Sequence, residues 1–295
     1  MIEIEINYQI GHIVIRQRPF IQCDVFSSVA TKGNGIAVVN DADDLSSEQM
    51  QSFAAWTNLA ETTFILRSDD PTADYKLRIF SPVREMLFAG HPTLGSCAAW
   101  HHWGGEPKTK GVVIQECGIG LVDNYIGSSR VALVAPDTTI DTLPSERLEG
   151  IVKKLGIARH KIVGSARLET GPVWNALELE DAETVLGINS ARVRYDDFGP
   201  IGFLGVTRDQ AKIDFNVRML APSSGMTEDP ITGSLNAALA KWLFSQGRLN
   251  DSLIIAQGQK IGREGRVYVK LVNRDDGKIT IGGDTQILIE GHVLL

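Results

Sequence analysis

Arg78-Ile79-Phe80-Ser81-Pro82 and, after eight further residues, His91-Pro92-Thr93-Leu94-Gly95-Ser96 are the stretch that decides the fold, because both pieces return in the second half of the chain. They return as Arg218-Met219-Leu220-Ala221-Pro222 and Asp229-Pro230-Ile231-Thr232-Gly233-Ser234. Arg78 and Arg218 lie 140 residues apart, as do Pro82 and Pro222, and the His-Pro segment falls over the Asp-Pro segment at a spacing of 138. Small apolar residues follow each, Cys97-Ala98-Ala99 and Leu235-Asn236-Ala237-Ala238. Gln115, Ile119 and Gly120 fall over Gln257, Ile261 and Gly262 at a spacing of 142, and Gly33 matches Gly171. An ordered series at nearly constant spacing is the mark of a duplication. Two copies are too few for a solenoid, so the expectation is two lobes facing each other across a pseudo-twofold axis, with the binding site in the cleft between them.

Working outward, 295 residues accommodate two domains of roughly 150. The expected lobes are residues 1–135, joined by the C-terminal segment 282–295, and residues 136–281. Short β-rich segments bounded by Gly, Pro, Asn or Asp dominate both halves. In the first they are Ile21–Phe26, Ile36–Val39, Thr62–Leu66, Lys76–Phe80, Val112–Gln115 and Arg130–Val134. In the second they are Trp174–Leu179, Ile201–Val206, Lys212–Val217, Leu253–Gln257, Arg266–Leu271 and Lys278–Ile281. The alternation of Ile2, Ile4 and Ile6 with polar residues adds a strand over Met1–Tyr8. Helices are expected over Ser46–Leu59, with Ser46 as N-cap, and over Pro92–Trp103, Ser145–Leu155 and Pro230–Gln246, placed alike in the two halves. This is an α+β chain.

Composition removes several function classes. Acidic residues outnumber basic ones, 36 to 29, and the charges are scattered. No basic patch recommends nucleic acid or an anionic membrane as partner. No apolar run approaches the length that spans a bilayer, and the N-terminus lacks the basic start and apolar core of a signal peptide. The three cysteines, Cys23, Cys97 and Cys117, have no CxxC spacing, so neither a disulfide framework nor a zinc site is expected. A cytoplasmic protein follows from these readings. Gly33-Asn34-Gly35 lacks the rest of a dinucleotide fingerprint. Adjacent His101 and His102 point about 100° apart on a helix and cannot chelate one metal together. No Gly-x-Ser-x-Gly elbow occurs.

Three residues stand out as candidates. His91-Pro92 and Asp229-Pro230 each follow a strand end and open an expected helix, proline being well suited to a first helical position. His91 and Asp229 are therefore expected at N-caps, beside unpaired backbone N–H groups and the positive end of the helix dipole. Two such ends directed into one cleft would bind a carboxylate, and imidazole and carboxylate are the usual proton carriers of enzymes. Aspartate before proline is also simply a good N-cap. Glu61, in Asn58-Leu59-Ala60-Glu61-Thr62-Thr63-Phe64, has no acidic counterpart near Pro200-Ile201-Gly202-Phe203 and so breaks the symmetry. Taken locally, a glutamate at such a junction is better explained by solvation than by catalysis.

These segments together resemble the PhzF-like phenazine biosynthesis protein family, which shares the diaminopimelate epimerase-like fold. The resemblance is carried by Asn58 to Phe64, by Phe88-Ala89-Gly90-His91-Pro92-Thr93-Leu94-Gly95, and by Glu228-Asp229-Pro230-Ile231-Thr232-Gly233-Ser234. Gln257-Gly258 with Gly262-Arg263, and Asp24-Val25-Phe26 with Gly33-Asn34, complete it over about 22–263. It implies two pseudo-symmetric lobes, each a curled, mostly antiparallel sheet around a central helix, and a homodimer. It also implies a cofactor-independent isomerase, without metal, that moves a proton between carbons of a small acidic metabolite. By the match Glu61 is the catalytic acid/base. His91, Asp229 and Ser234 contact substrate and assist proton movement, and Gly90 and Gly233 present backbone N–H groups to it. The sequence departs from the pattern at Gly35, where proline is usual, and at Ala60, where serine is usual. Racemases of this fold that use two opposed cysteines are a poor match, since no cysteine stands at either helix start. The competing reading is a non-catalytic metabolite-binding or scaffold protein of the same fold.

Overall fold

Alternating apolar and polar side chains become strands with one face inward: along Tyr75–Phe80 every second side chain from Tyr75 is buried. The structure, a computed structural model, describes residues 8–10, 13–127, 130–194, 197–208, 212–221 and 226–295. Most of the strand expected over Met1–Tyr8, and the match of Pro82 with Pro222, lie outside the described residues. The chain divides into two compact units, Met1–Leu133 with Asp284–Leu295, and Val134–Gly283.

In chain order the elements are β1 (Tyr8–Ile10), β2 (Ile13–Ile15), β3 (Gln17–Val25), β4 (Asn34–Val39), α1 (Ser47–Thr57), β5 (Glu61–Leu66), β6 (Tyr75–Phe80), β7 (Glu85–Met86), α2 (Gly90–His102), β8 (Val112–Cys117), β9 (Gly120–Ile126) and β10 (Val131–Val134). There follow β11 (Thr139–Asp141), α3 (Ser145–Leu155), β12 (Ile162–Glu169), β13 (Val173–Leu179), α4 (Ala182–Leu186), β14 (Ile201–Val206), β15 (Phe215–Ala221), β16 (Met226–Asp229), α5 (Gly233–Ser245), β17 (Ser252–Gln257), β18 (Gly265–Asn273), β19 (Lys278–Gly283) and β20 (Thr285–Leu294). β20 returns to the first unit.

The two units have the same sheet order. In the first, β20, β3 and β4 run antiparallel in turn, β4 and β5 pair in parallel, β5 and β6 antiparallel, and β6 takes β7 antiparallel and β8 in parallel before the β8–β9 hairpin. In the second, β11, β12 and β13 take the first places, β13 and β14 are the parallel pair, and β15 takes β16 antiparallel and β17 in parallel. The register of the second parallel pair differs by two residues: Tyr75 faces Gln115 in one unit, whereas Gln257, the match of Gln115, faces Val217 in the other. A parallel pair needs a crossover, commonly a helix. α1 and α4 bridge the first parallel pair of each unit, and α2 and α5 the second. The sheets are mixed, with antiparallel pairs in the majority.

α2 and α5 are buried on nearly all sides, the property of a helix that runs through a core. α2 packs on β3, β4 and β5. A Cβ on Gly95 would lie 2.6 Å from Ile36 Cδ1 and 2.9 Å from Val25 Cγ2, so only glycine lets helix and sheet approach this closely. Under α1, Phe53, Phe64 and Phe80 meet edge-to-face, with centroids 6.3 and 5.5 Å apart.

α1 opens with the expected Ser46 cap. The Ser46 hydroxyl accepts from the Gln49 N–H at 3.2 Å, and the Gln49 side chain accepts from the Ser46 N–H at 2.8 Å. Ser46→Ala should therefore cost about 1 kcal/mol and lower the melting temperature by roughly 2–4 °C, with the fold unchanged. An unaltered melting curve would show that the capping box contributes nothing.

Several expectations need correction. α1 stops at Thr57 because Asn58 turns left-handed (φ 54°), so Leu59 is outside it. The strand expected over Lys212–Val217 is Phe215–Ala221. The helices are not placed alike throughout: the counterpart of α1 is the short α4, opened by Asp181, which accepts from the Thr184 N–H at 2.8 Å. α3 lies between β11 and β12 and has no counterpart among the described residues of the other unit. No helix among the described residues is long and apolar enough to cross a membrane.

Candidate active site

α2 begins one residue before His91. Ala89 is its N-cap, with extended backbone and no capping side chain, and Gly90 and His91 are the first two helical residues. Pro92 is then third, still inside the turn whose N–H groups have no intrahelical acceptor, so the missing donor costs nothing. The expectation of His91 as N-cap is corrected by that single residue.

Glu61 opens β5 and pairs in parallel with Ile36 of β4. Its Oε2 lies 3.0 Å from His91 Nε2, and the side chains are 15 % and 8 % exposed. Beside this pair a buried hydrogen bond joins β5 to α2. Thr63, two residues along the strand from Glu61, donates its hydroxyl proton to the Ala37 carbonyl at 3.2 Å. Ser96 on α2 therefore donates to Thr63 Oγ1, at 2.8 Å. All three of Thr62, Thr63 and Ser96 are fully buried.

In the second unit Asp229 is not an N-cap. It ends β16, facing Met219 of β15, and α5 starts at Gly233 with Thr232 as N-cap. The residue before a proline is pushed toward extended backbone, and here the sheet holds it there. The helix starts thus make Gly90 equivalent to Gly233 and His91 equivalent to Ser234. Asp229 falls before the helix and has no counterpart in His91, contrary to the sequence overlay. Neither α2 nor α5 has a side chain capping its first N–H groups.

Glu228, beside Asp229, is held by Arg218 of β15. Arg218 Nε and Nη2 donate to the two Glu228 carboxylate oxygens at 3.0 and 2.7 Å, and Nη1 donates to the carbonyls of Val185 in α4 and Ile188 just beyond it at 3.2 and 2.6 Å. The first unit repeats the pair as Arg78–Glu85, with both bonds at 2.7 Å.

Sequence reasoning left Thr63, Ser96, Thr232 and Asn236 without a part, although each lines the first turns of a central helix or the strand beside it. Gln115 and Gln257 were visible as repeat matches, but not for what they hold.

Cys23 and Cys97 are held as neutral thiols. Burial, helped by the Asp24 charge, pushes Cys23 up to about 12, and burial with the Asp74 charge does the same for Cys97. At pH 8 about one thiol in ten thousand would be thiolate, the reactive form. Native protein treated with iodoacetamide at pH 8 should show both unmodified by mass spectrometry. Rapid labelling of Cys97 would reopen a thiol mechanism.

The structure is thus a duplicated α+β fold that sets a carboxylate against an imidazole at the uncapped start of a buried helix. The sequence profile of the phenazine biosynthesis-like protein family matches residues 23–291. The chain belongs to that family. It is 32 % identical over 293 residues to a Schizosaccharomyces pombe protein named Antisense-enhancing sequence 1, covering 93 % of this chain and 98 % of that one. It is 28 % identical over 290 residues to the trans-2,3-dihydro-3-hydroxyanthranilate isomerase of Pseudomonas aeruginosa, covering 94 % of this chain and 99 % of that one. Among solved structures, the Bacillus anthracis phenazine biosynthesis protein of the PhzF family superposes with a TM-score of 0.81 at 22 % identity, covering 95 % of this chain and all of that one. The fold is the diaminopimelate epimerase-like one, and the protein is an isomerase of the PhzF type.

Proposed function

We propose that the protein shifts a proton between two carbons of a small carboxylate-bearing metabolite, with Glu61 as the acid/base and no cofactor taking part. The observation that carries this is the 3.0 Å approach of the Glu61 carboxylate to His91 in a largely buried setting at the start of α2. The carboxylate takes a proton from one carbon, and the electron pair of that C–H bond passes into the conjugated system of the substrate. The resulting Glu61 carboxylic acid then returns the proton to a second carbon on the same face, so one group serves both steps. His91, 3.0 Å from the carboxylate, orients it. The N–H of Gly90 and the positive end of α2 oppose the negative charge that develops. Asp229, Gly233 and Ser234 are assigned to the same substrate on the strength of the repeat and the family resemblance. A homodimer in the cytoplasm belongs to the same proposal and rests on that resemblance as well.

The test is proton NMR in D2O. The first probe is trans-2,3-dihydro-3-hydroxyanthranilate, after the name of the 28 % identical relative, followed by a panel of small amino and hydroxy acids. Conversion, or deuterium entering one carbon position, is the expected result. A compound that binds but exchanges no proton, with none of the panel converted, would leave a recognition protein in place of this reaction.

A further inference from the structure

The Gln257-Gly258 motif has no task in the chemistry above, and the structure shows what it holds. Gln257 is fully buried. Its Oε1 accepts from the Thr232 N–H at 3.2 Å and from Asn236 Nδ2 at 2.8 Å. Its Nε2 donates to the Asp229 carbonyl at 3.2 Å and to Thr232 Oγ1 at 3.1 Å. A side-chain amide has two donors and two acceptor lone pairs, and all are used on the segment from Asp229 to Asn236. The backbone decides which way round the amide lies, since the Thr232 N–H requires oxygen and the Asp229 carbonyl requires N–H.

The consequence falls on Asp229. The Thr232 hydroxyl has one proton, and it already accepts from a Gln257 nitrogen that can only donate. Its proton therefore goes to Asp229 Oδ2, with which it makes a short hydrogen bond. Asn236 Nδ2 holds the Thr232 carbonyl at 2.8 Å from the other side. Gly258 completes the cradle: its φ is +93°, and a Cβ there would lie 2.7 Å from the Pro230 carbonyl oxygen. The first unit has the same buried glutamine, Gln115, whose Nε2 donates to Thr93 Oγ1 of α2 at 3.2 Å and whose Oε1 accepts from Tyr75 at 3.1 Å, with no aspartate at the end of the chain.

We propose that Thr232 and Gln257 are positioning residues, which fix the Asp229 carboxylate in one orientation toward the metabolite; this rests on reading Asp229 as a substrate contact. Thr232→Val keeps the shape and removes the proton given to Asp229, whereas Thr232→Ser keeps the hydroxyl. Gln257→Glu keeps both acceptor bonds, loses both donors, and serves if Thr232→Val does not fold. Crystal structures of the full-length variants without ligand should show the Asp229 carboxylate rotated or split between conformers in Thr232→Val and Gln257→Glu, and native in Thr232→Ser. In the exchange assay, kcat should fall by up to about 100-fold in Thr232→Val, with KM little changed, and recover in Thr232→Ser. An Asp229 carboxylate in its native orientation in both Thr232→Val and Gln257→Glu overturns the proposal. Wild-type protein that exchanges no proton would instead bring down the reading of the reaction, while the crystal structures still decide this one.

Discussion

Glu61→Gln should retain the fold and bind ligand, yet lose turnover by about 100- to 10,000-fold, the span that a positioned acid/base contributes. The substitution is nearly isosteric, and the amide can still meet His91 Nε2, 3.0 Å away in the native protein. What it removes is the capacity to accept a proton from carbon and give it back. A single residue serves both half-steps under this proposal, so no second base can rescue either. The effect should therefore appear in kcat and in solvent deuterium entry together, with the dissociation constant of the substrate close to wild type. Binding is measured by calorimetry and folding by the melting curve, which separates loss of chemistry from loss of structure. A variant that turns over normally would sink the assignment of Glu61.

Arg218→Met should destabilise the protein by about 3–5 kcal/mol, because it leaves one partner of a buried ion pair without its charge. The Arg218 and Glu228 side chains are each 2 % exposed. Without the guanidinium, the Glu228 carboxylate stays in the interior uncompensated, and the carbonyls of Val185 and Ile188 lose a donor. For a domain of this size the melting temperature should fall by roughly 6–20 °C. The protein contains its own control. Arg78 and Glu85 make the same pair at the same place in the sheet, but their side chains are 22 % and 42 % exposed. Arg78→Met should cost about 0–1 kcal/mol, the usual range for a pair that water can screen and replace. Equal losses for the two variants would contradict the role given to burial. Replacing Arg218 and Glu228 together by apolar residues of similar size should recover much of the loss, since no charge is then stranded.

Much of the architecture was legible. Strand and helix periodicities are local properties, and the duplication shows as an ordered series of matches, so an α+β chain of two repeated halves could be read from residue type and spacing, while the central helix of each half followed from the family resemblance. The family motifs around Glu61, His91 and Asp229 pointed to the fold and the isomerase class. The boundaries were less legible where two principles compete. Proline at the head of a helix predicts a start at Pro230, but β15 holds Asp229 in a ladder and the helix waits until Gly233. In α2 no such ladder reaches His91, and the helix starts early, at Gly90. That difference shifts the helix starts against the sequence match, so His91 faces Ser234 in the repeat and Asp229 stands alone.

The sequence by itself determined the periodicities, the repeat, the family and the candidate residues, since all of these depend on residue type and spacing. Only the tertiary structure decided that Glu61 and His91 meet at 3.0 Å, that Gln257 spends its whole hydrogen-bonding capacity on the turn holding Asp229, and that Arg218–Glu228 is buried while Arg78–Glu85 is not. Glu61 and His91 are brought together by the packing of α2 on β5, and Gln257 reaches Thr232 across 25 residues of chain. Distances of that kind, and the exclusion of water around a charge, are set by how elements pack on one another, and no local pattern of residues carries them.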